Sequence, residues 1–375
     1  MRITLAYLMA ASVVLAACNS ASSTAFAPPQ SPPKLQHIVI MVQENRSFNN
    51  LFAGFPGANT AMEGPCKPKR PWCKTPQQIP LHSIKLKSGP VNRGTDIDHT
   101  HHGFKIECDA DSNNVCRMDG FDLIFTGEAG NGPPAKTYPY SYVDRSEITP
   151  YWELAKEYTL ADNMFSTDTA SSFIAHQQII AGTARWDADS SLTDEPTVPP
   201  WGCDASGPHG KKRFIFTPLL FRNGRYDRNG PFPCFSQYKT IADLLDATNV
   251  SYQFYVDNRK SPHDDFSGAV WNGFDAIKSF RYGPDWNAHI SIPNTNIFAD
   301  LKANKLPALS WVIPTLYDSD HPASGCNGGP WWVSSVINAI GASSAWKTTA
   351  VVVIWDDWGG WYDNVPPPQV NYTSL

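Results

Sequence analysis

The chain has 375 residues, a formal net charge of −5, 42% hydrophobic residues and eight cysteines. Acidic residues are in slight excess and Lys and Arg form no cluster, so the electrostatic footprint of a nucleic-acid-binding protein is missing. Beyond the N-terminus no run is long and apolar enough to cross a membrane as a helix.

In chain order, Arg2, an apolar run from Ile3 to Leu15, then Ala16 and Ala17 have the charge, apolar core and small residues of an export signal over residues 1–17. Leu15-Ala16-Ala17-Cys18 resembles the bacterial lipoprotein box, which implies Cys18 as a lipid anchor. Asn19 stands where an aspartate would signal retention at the inner membrane. The expected location is therefore the cell envelope, anchored by lipid at the outer membrane and facing periplasm or surface. Residues 18–34, mostly Ala, Ser and Pro, bury too little to order themselves and read as a tether. Residues 35–375 read as one large α/β domain.

Leu35 to Val42 is short, β-branched and almost continuously apolar, as a strand buried on both faces must be. Thr348 to Ile354 has the same character. Strands are also expected at Ser251 to Val256 and Leu306 to Val312. Thr149-Pro150 opens a helix through Lys156, Thr240 with Asp243 makes a capping box for a helix to Thr248, and helices are expected over Ala170 to Thr183 and Trp331 to Ile340. This alternation predicts a three-layer α/β/α sandwich around a mainly parallel central sheet. Two stretches rich in Gly, Pro, Asn and Asp, Gly57 to Pro134 and Trp186 to Pro233, interrupt it as disulfide-pinned insertions. An exported chain retains disulfides, and proximity suggests Cys66 with Cys73, Cys108 with Cys116 and Cys203 with Cys234, leaving Cys326.

Ligands of open α/β sheets bind beyond the carboxyl ends of the strands. Both apolar runs end there in polar residues: Glu44 and Asn45 after the first, Asp356 and Asp357 after the last. Those four oxygen donors suit one divalent cation, Mg²⁺ or Ca²⁺, with Zn²⁺ and Mn²⁺ also admissible. Ser171 and Ser172 open a helix whose positive end would stabilise an alkoxide or a phosphate oxygen. Asp96 to His102 holds three histidines, and His321 precedes Pro322 on a later loop; either supplies acid, base or donor chemistry near neutral pH. Asp109 to Asn113 starts like a calcium loop but lacks its later glycine and acid.

Five segments resemble the bacterial phosphoesterases that include non-specific phospholipase C and secreted acid phosphatases, relatives of alkaline phosphatase. They are HIVIMVQENRSFNNLF at 37–52, RMDGF at 117–121, ADNMFSTDTASSFIAHQ at 161–177, SDHPASG at 319–325 and WDDWGGWYDNVPPP at 355–368. The resemblance implies an alkaline phosphatase-like fold, metal ligands at Glu44, Asn45, Asp356 and Asp357, and Ser172 as nucleophile passing through a phosphoserine. It also implies roles for His321 and for His99, with His101 or His102 as alternatives to the latter. The expected substrate is a phosphate ester or a phospholipid, approached from a membrane anchor; the thirteen tryptophans offer aromatic surface for a choline head group. Family members continue past the VPPP segment with another strand and further histidines, so a chain ending at Leu375 is expected to be a shortened form whose activity needs testing. Two other readings compete: a zinc hydrolase built on His99, His101 and His102, and a non-catalytic surface-anchored binding protein.

Overall fold

Five strands build the central sheet: β1 (His37–Gln43), β2 (Tyr252–Tyr255), β3 (Ile290–Ser291), β4 (Leu309–Val312) and β5 (Thr349–Trp355). This is a computed structural model that describes residues 34–368 apart from 69, 74–76, 88–95, 207–213, 258–266 and 323–326. The expected signal segment, Cys18, the tether before residue 34 and Cys326 lie outside the described residues. The strands run in the order β3-β2-β4-β1-β5, every neighbouring pair parallel. The two most apolar runs, β1 and β5, are neighbours along their full length, with His37 opposite Thr349 and Gln43 opposite Trp355.

Strand alternation sorts the side chains into two cores. Val39 and Met41 of β1, Val312 of β4, and Val351 and Val353 of β5 face one layer, formed by α1 (Phe48–Phe52), α3 (Thr149–Glu157), α6 (Asn296–Lys302) and α7 (Gly329–Gly341). Val42, Phe254, Trp311 and Ile354 face the other, formed by α4 (Ser172–Ala181), residues 270–280 and, at its edge, α5 (Ile241–Ala247). Within the first insertion lies α2 (His101–Cys108). Fully buried side chains such as Met41, Phe254 and Val336 each contribute roughly 1.5–3 kcal/mol. The three-layer α/β arrangement expected from the alternation is the one observed.

Boundaries differ where backbone chemistry intervenes. The strand expected from Leu306 begins at Leu309, because Pro307 has no N–H for the ladder; Leu306 itself is buried in the core. The helix expected from Ala170 starts at Ser172, with Ser171 extended as its N-cap, and Gly182 closes it at φ 64°. The two-residue β3 had no expectation, since so short a strand shows no period. Asp243 accepts from the Thr240 backbone N–H at 2.8 Å, the capping contact read from the sequence. The insertions fold as loops with short antiparallel pairs, among them Glu63–Pro65 with Gln78–Pro80 and Ser190–Leu192 with Leu219–Phe221. Cys66–Cys73, Cys108–Cys116 and Cys203–Cys234 are disulfide-bonded, as proximity suggested.

Candidate active site

Because Gln43 and Trp355 are register partners, the residues that leave the two strands emerge side by side. The Asp356 N–H donates to the Gln43 carbonyl at 3.0 Å, and the Asn45 N–H donates to Asp356 Oδ1 at 3.0 Å. Asn45 turns at φ 49°, and Gly359, at φ 62°, packs against it so closely that a Cβ there would lie 2.1 Å from the Asn45 carbonyl oxygen. Gly359→Ala is therefore expected to cost about 3 kcal/mol or more in urea-unfolding stability. An unchanged unfolding midpoint would show that this contact does not hold the turn.

Ser172, the first residue of α4, brings its hydroxyl 3.2 Å from Asn45 Oδ1 and 3.3 Å from Asp357 Oδ2. One hydroxyl has one proton, so it donates to these acceptors alternately. Ser171 makes no side-chain cap, which leaves first-turn N–H groups of α4 to an anionic ligand. One turn further on, His176 Nε2 lies 3.0 Å from Glu44 Oε1 and 3.9 Å from Asp356 Oδ2.

Glu44, Asp356 and Asp357 are 0%, 4% and 3% exposed, which makes their joint ionisation costly without a cation. Burial, then the charge of Asp356, pushes Glu44 well above the carboxylate range. The same two causes in the same order raise Asp357. Glu44 Oε2 and Asp356 Oδ2 are buried with no hydrogen-bond partner. Orphaned carboxylate oxygens facing one another fit a divalent cation, and Glu44, Asn45, Asp356 and Asp357 are the residues that would hold it.

His99 is fully buried, donates from Nδ1 to the Ile97 carbonyl at 2.6 Å, and has Nε2 2.9 Å from the Asn45 amide and 4.0 Å from Asp357 Oδ2. Burial disfavours charge on the ring, but Asp357, Asp96 and Glu128 outweigh it and push His99 up to about 10. A charged ring donates from both nitrogens and cannot accept from the Asn45 amide nitrogen, so its Nε2–H is left for an anionic ligand oxygen while Asn45 Oδ1 stays with Ser172. His321 donates from Nδ1 to the Pro322 carbonyl and has Nε2 3.9 Å from Asp96 Oδ2, while His99 Nδ1 is 3.9 Å from Asp96 Oδ1. Asp96 thus lies between the two imidazoles. Gln43 and Arg46 secure the loop before His321: Gln43 Oε1 accepts from the Asp320 N–H at 3.0 Å and Arg46 Nε donates to the Asp320 carbonyl at 2.9 Å. Asp320 Oδ2 in turn accepts from Tyr151 and from Trp355.

The structure brings Glu44, Asn45, Ser172, Asp356, Asp357 and His99 together and turns His321 toward the same acidic corner. His101, on the first turn of α2, goes elsewhere: its Nδ1 is 2.7 Å from Thr169 Oγ1, and burial lowers its pKa to about 4. His102 is exposed. His99, His101 and His102 therefore make no ligand set among the described residues; His99 groups instead with Glu128 and Glu195. Burial, then the charge of Glu128 beside it, pushes Glu195 well above the carboxylate range. Both glutamates sit in irregular insertions with no periodic signal, which is why sequence reasoning passed over them. His176 was legible in principle, since four residues along a helix returns to the face of Ser172.

Fold and site define an α/β sandwich protein with a buried carboxylate cluster and a helix-opening serine at the carboxyl edge of its sheet. The chain belongs to the phosphoesterase family, whose model matches residues 35–374. It is similar to phospholipase C A of Mycobacterium tuberculosis, 24% identical over 361 residues that cover 89% of this chain and 60% of that protein. Non-hemolytic phospholipase C of Pseudomonas aeruginosa is 25% identical over 348 residues, 89% of this chain and 43% of that protein. Non-specific phospholipase C1 of Arabidopsis thaliana is 23% identical over 370 residues, 93% of this chain and 58% of that protein. The chain thus spans 60% or less of the length of these relatives.

Proposed function

We propose that this protein hydrolyses phosphate esters by attack of Ser172 on phosphorus, assisted by one divalent cation bound by Glu44, Asn45, Asp356 and Asp357. The observation that carries the reading is the Ser172 hydroxyl, which touches Asn45 and Asp357 at the open N-terminus of α4. A bound cation would lower the pKa of that hydroxyl and draw charge from the phosphoryl oxygens. Ser172 Oγ bonds to phosphorus as the bond to the leaving alcohol breaks, and its proton passes to Asp357 Oδ2. N–H groups of the α4 first turn and His99 hold phosphoryl oxygens. His321, the more exposed imidazole, protonates the leaving alcohol, and Asp96 orients both rings. Water then hydrolyses the phosphoserine.

Relatives named for phospholipase C support a phosphodiester substrate of that type over a monoester. The N-terminal signal order, Cys18 and three disulfides support export and lipid anchoring, which would hold the enzyme at a membrane surface. The test is release of p-nitrophenol by the purified chain from p-nitrophenyl phosphorylcholine and p-nitrophenyl phosphate, after EDTA treatment and re-addition of divalent cations. Cation-dependent release, faster from the diester, is expected. A faster monoester would reassign the protein as a phosphatase. A folded, cation-loaded protein inert toward both would favour a non-catalytic binding role.

A further inference from the structure

The nucleophile helix carries a second chemically active side chain into the acid cluster. Helical geometry puts residue i+4 on the face of residue i, so α4 turns His176 to the side on which Ser172 meets the strand ends. His176 is 2% exposed, Glu44 is fully buried and Asp356 is 4% exposed. One ligand atom from each of these three residues lies within 4.8 Å of the others. Two of the separations are 3.0 Å, His176 Nε2 to Glu44 Oε1, and 3.9 Å, His176 Nε2 to Asp356 Oδ2. Nitrogen and oxygen ligands sit about 2.0–2.2 Å from a zinc-class ion, hence roughly 3–3.5 Å from one another, so only slight side-chain movement is needed. The other oxygen of Glu44, Oε2, and that same Asp356 Oδ2 are buried without a hydrogen-bond partner. A histidine wedged between two such acids has a stronger role available than a hydrogen bond to one of them.

Resting on the reading that the strand-end acids bind a cation, we propose that His176 is a further ligand of that cation and makes the site selective for a transition metal. An all-oxygen site of carboxylates and an amide suits Mg²⁺, Ca²⁺ or Mn²⁺, whereas an imidazole ligand shifts preference toward Zn²⁺ or Fe²⁺. His176 therefore decides which ion is used, while the acids supply the charge that neutralises it. The helix that carries the serine is also tied through that ion to the ends of β1 and β5.

The test uses the full chain, stripped of metal and loaded with Mn²⁺, and electron spin-echo envelope modulation to detect nitrogen bound to the ion. Nitrogen modulation is expected, changing from the ¹⁴N to the ¹⁵N pattern when histidine alone is ¹⁵N-labelled, a readout that needs no variant. His176→Gln should abolish it, and His99→Gln should retain it. In parallel, the preference for Zn²⁺ over Mg²⁺ measured by titration should fall about tenfold or more in His176→Gln. If the protein binds a cation and hydrolyses the esters but shows no histidine nitrogen, or keeps it in His176→Gln, His176 is not a ligand while the function above stands. If no divalent cation binds, both fall together.

Discussion

Ser172→Ala is expected to lower phosphoester turnover by about three orders of magnitude or more while leaving the fold and cation binding intact. The substitution removes the only atom of that residue able to bond to phosphorus, and each factor of ten corresponds to about 1.4 kcal/mol of barrier. The structural cost is small. Asn45 Oδ1 and Asp357 Oδ2 lose one shared donor, worth roughly 1 kcal/mol, and α4 keeps a good helix former at its first position. Thermal melting and cation titration should therefore match wild type within a few degrees and about threefold. Ser171→Ala is the informative control, because Ser171 is its neighbour, 1% exposed, with a hydroxyl lacking any partner. If Ser171→Ala is the inactive variant and Ser172→Ala keeps more than about a tenth of the activity, the nucleophile has been assigned one residue too late.

The second large effect separates function from stability. Asp356→Asn should abolish cation-dependent turnover yet raise the melting temperature of the metal-free protein by a few degrees. Two like charges about 4 Å apart repel by about 4 kcal/mol at an effective dielectric of 20, and the cluster holds three carboxyls in a buried space. The asparagine oxygen can still accept from the Asn45 N–H, so the turn survives. The pH dependence follows from the raised Glu44 and Asp357. In the folded metal-free chain these groups keep protons that the unfolded chain releases above ordinary carboxylate pKa values. Stability contributed by them is thus greatest at low pH and is lost as pH rises toward their folded values. The Asp356 charge raises both groups, so the loss should be shallower in Asp356→Asn and its advantage should grow between pH 5 and pH 8. Added Mn²⁺ should raise the melting temperature of wild type only. A variant less stable than metal-free wild type at every pH would mean that carboxylate repulsion does not govern this site.

Much of the fold could be read ahead of the coordinates because local rules and tertiary context agreed. β1 is apolar on both faces and largely buried, as a strand covered by helices on two sides must be, whereas β5, equally apolar in sequence, is the edge strand and stays only partly buried, with Val352 39% exposed. Thr240 with Asp243 and Thr149 with Pro150 marked helix starts that the structure retains. Where Pro307 removed a ladder donor, the strand began later than its hydrophobicity suggested. Short disulfide loops were legible for a similar reason, since cysteines seven and eight residues apart have few other partners within reach.

For the site, the sequence by itself determined the residues at the strand ends. Once β1 and β5 are adjacent and parallel, Glu44-Asn45 and Asp356-Asp357 must lie together, and the first turn of α4 must present a serine. Tertiary structure alone decided which histidines join them. His99 and His101 are two residues apart, yet one reaches Asn45 and the other Thr169, because the chain enters α2 between them and a helix start redirects successive side chains. Asp96, Glu128 and Glu195 converge on the same corner from insertions that have no period to read. The difference is physical: a strand or helix fixes the direction of a side chain within a few residues, whereas an irregular loop fixes it only through the contacts it makes after the whole chain has folded.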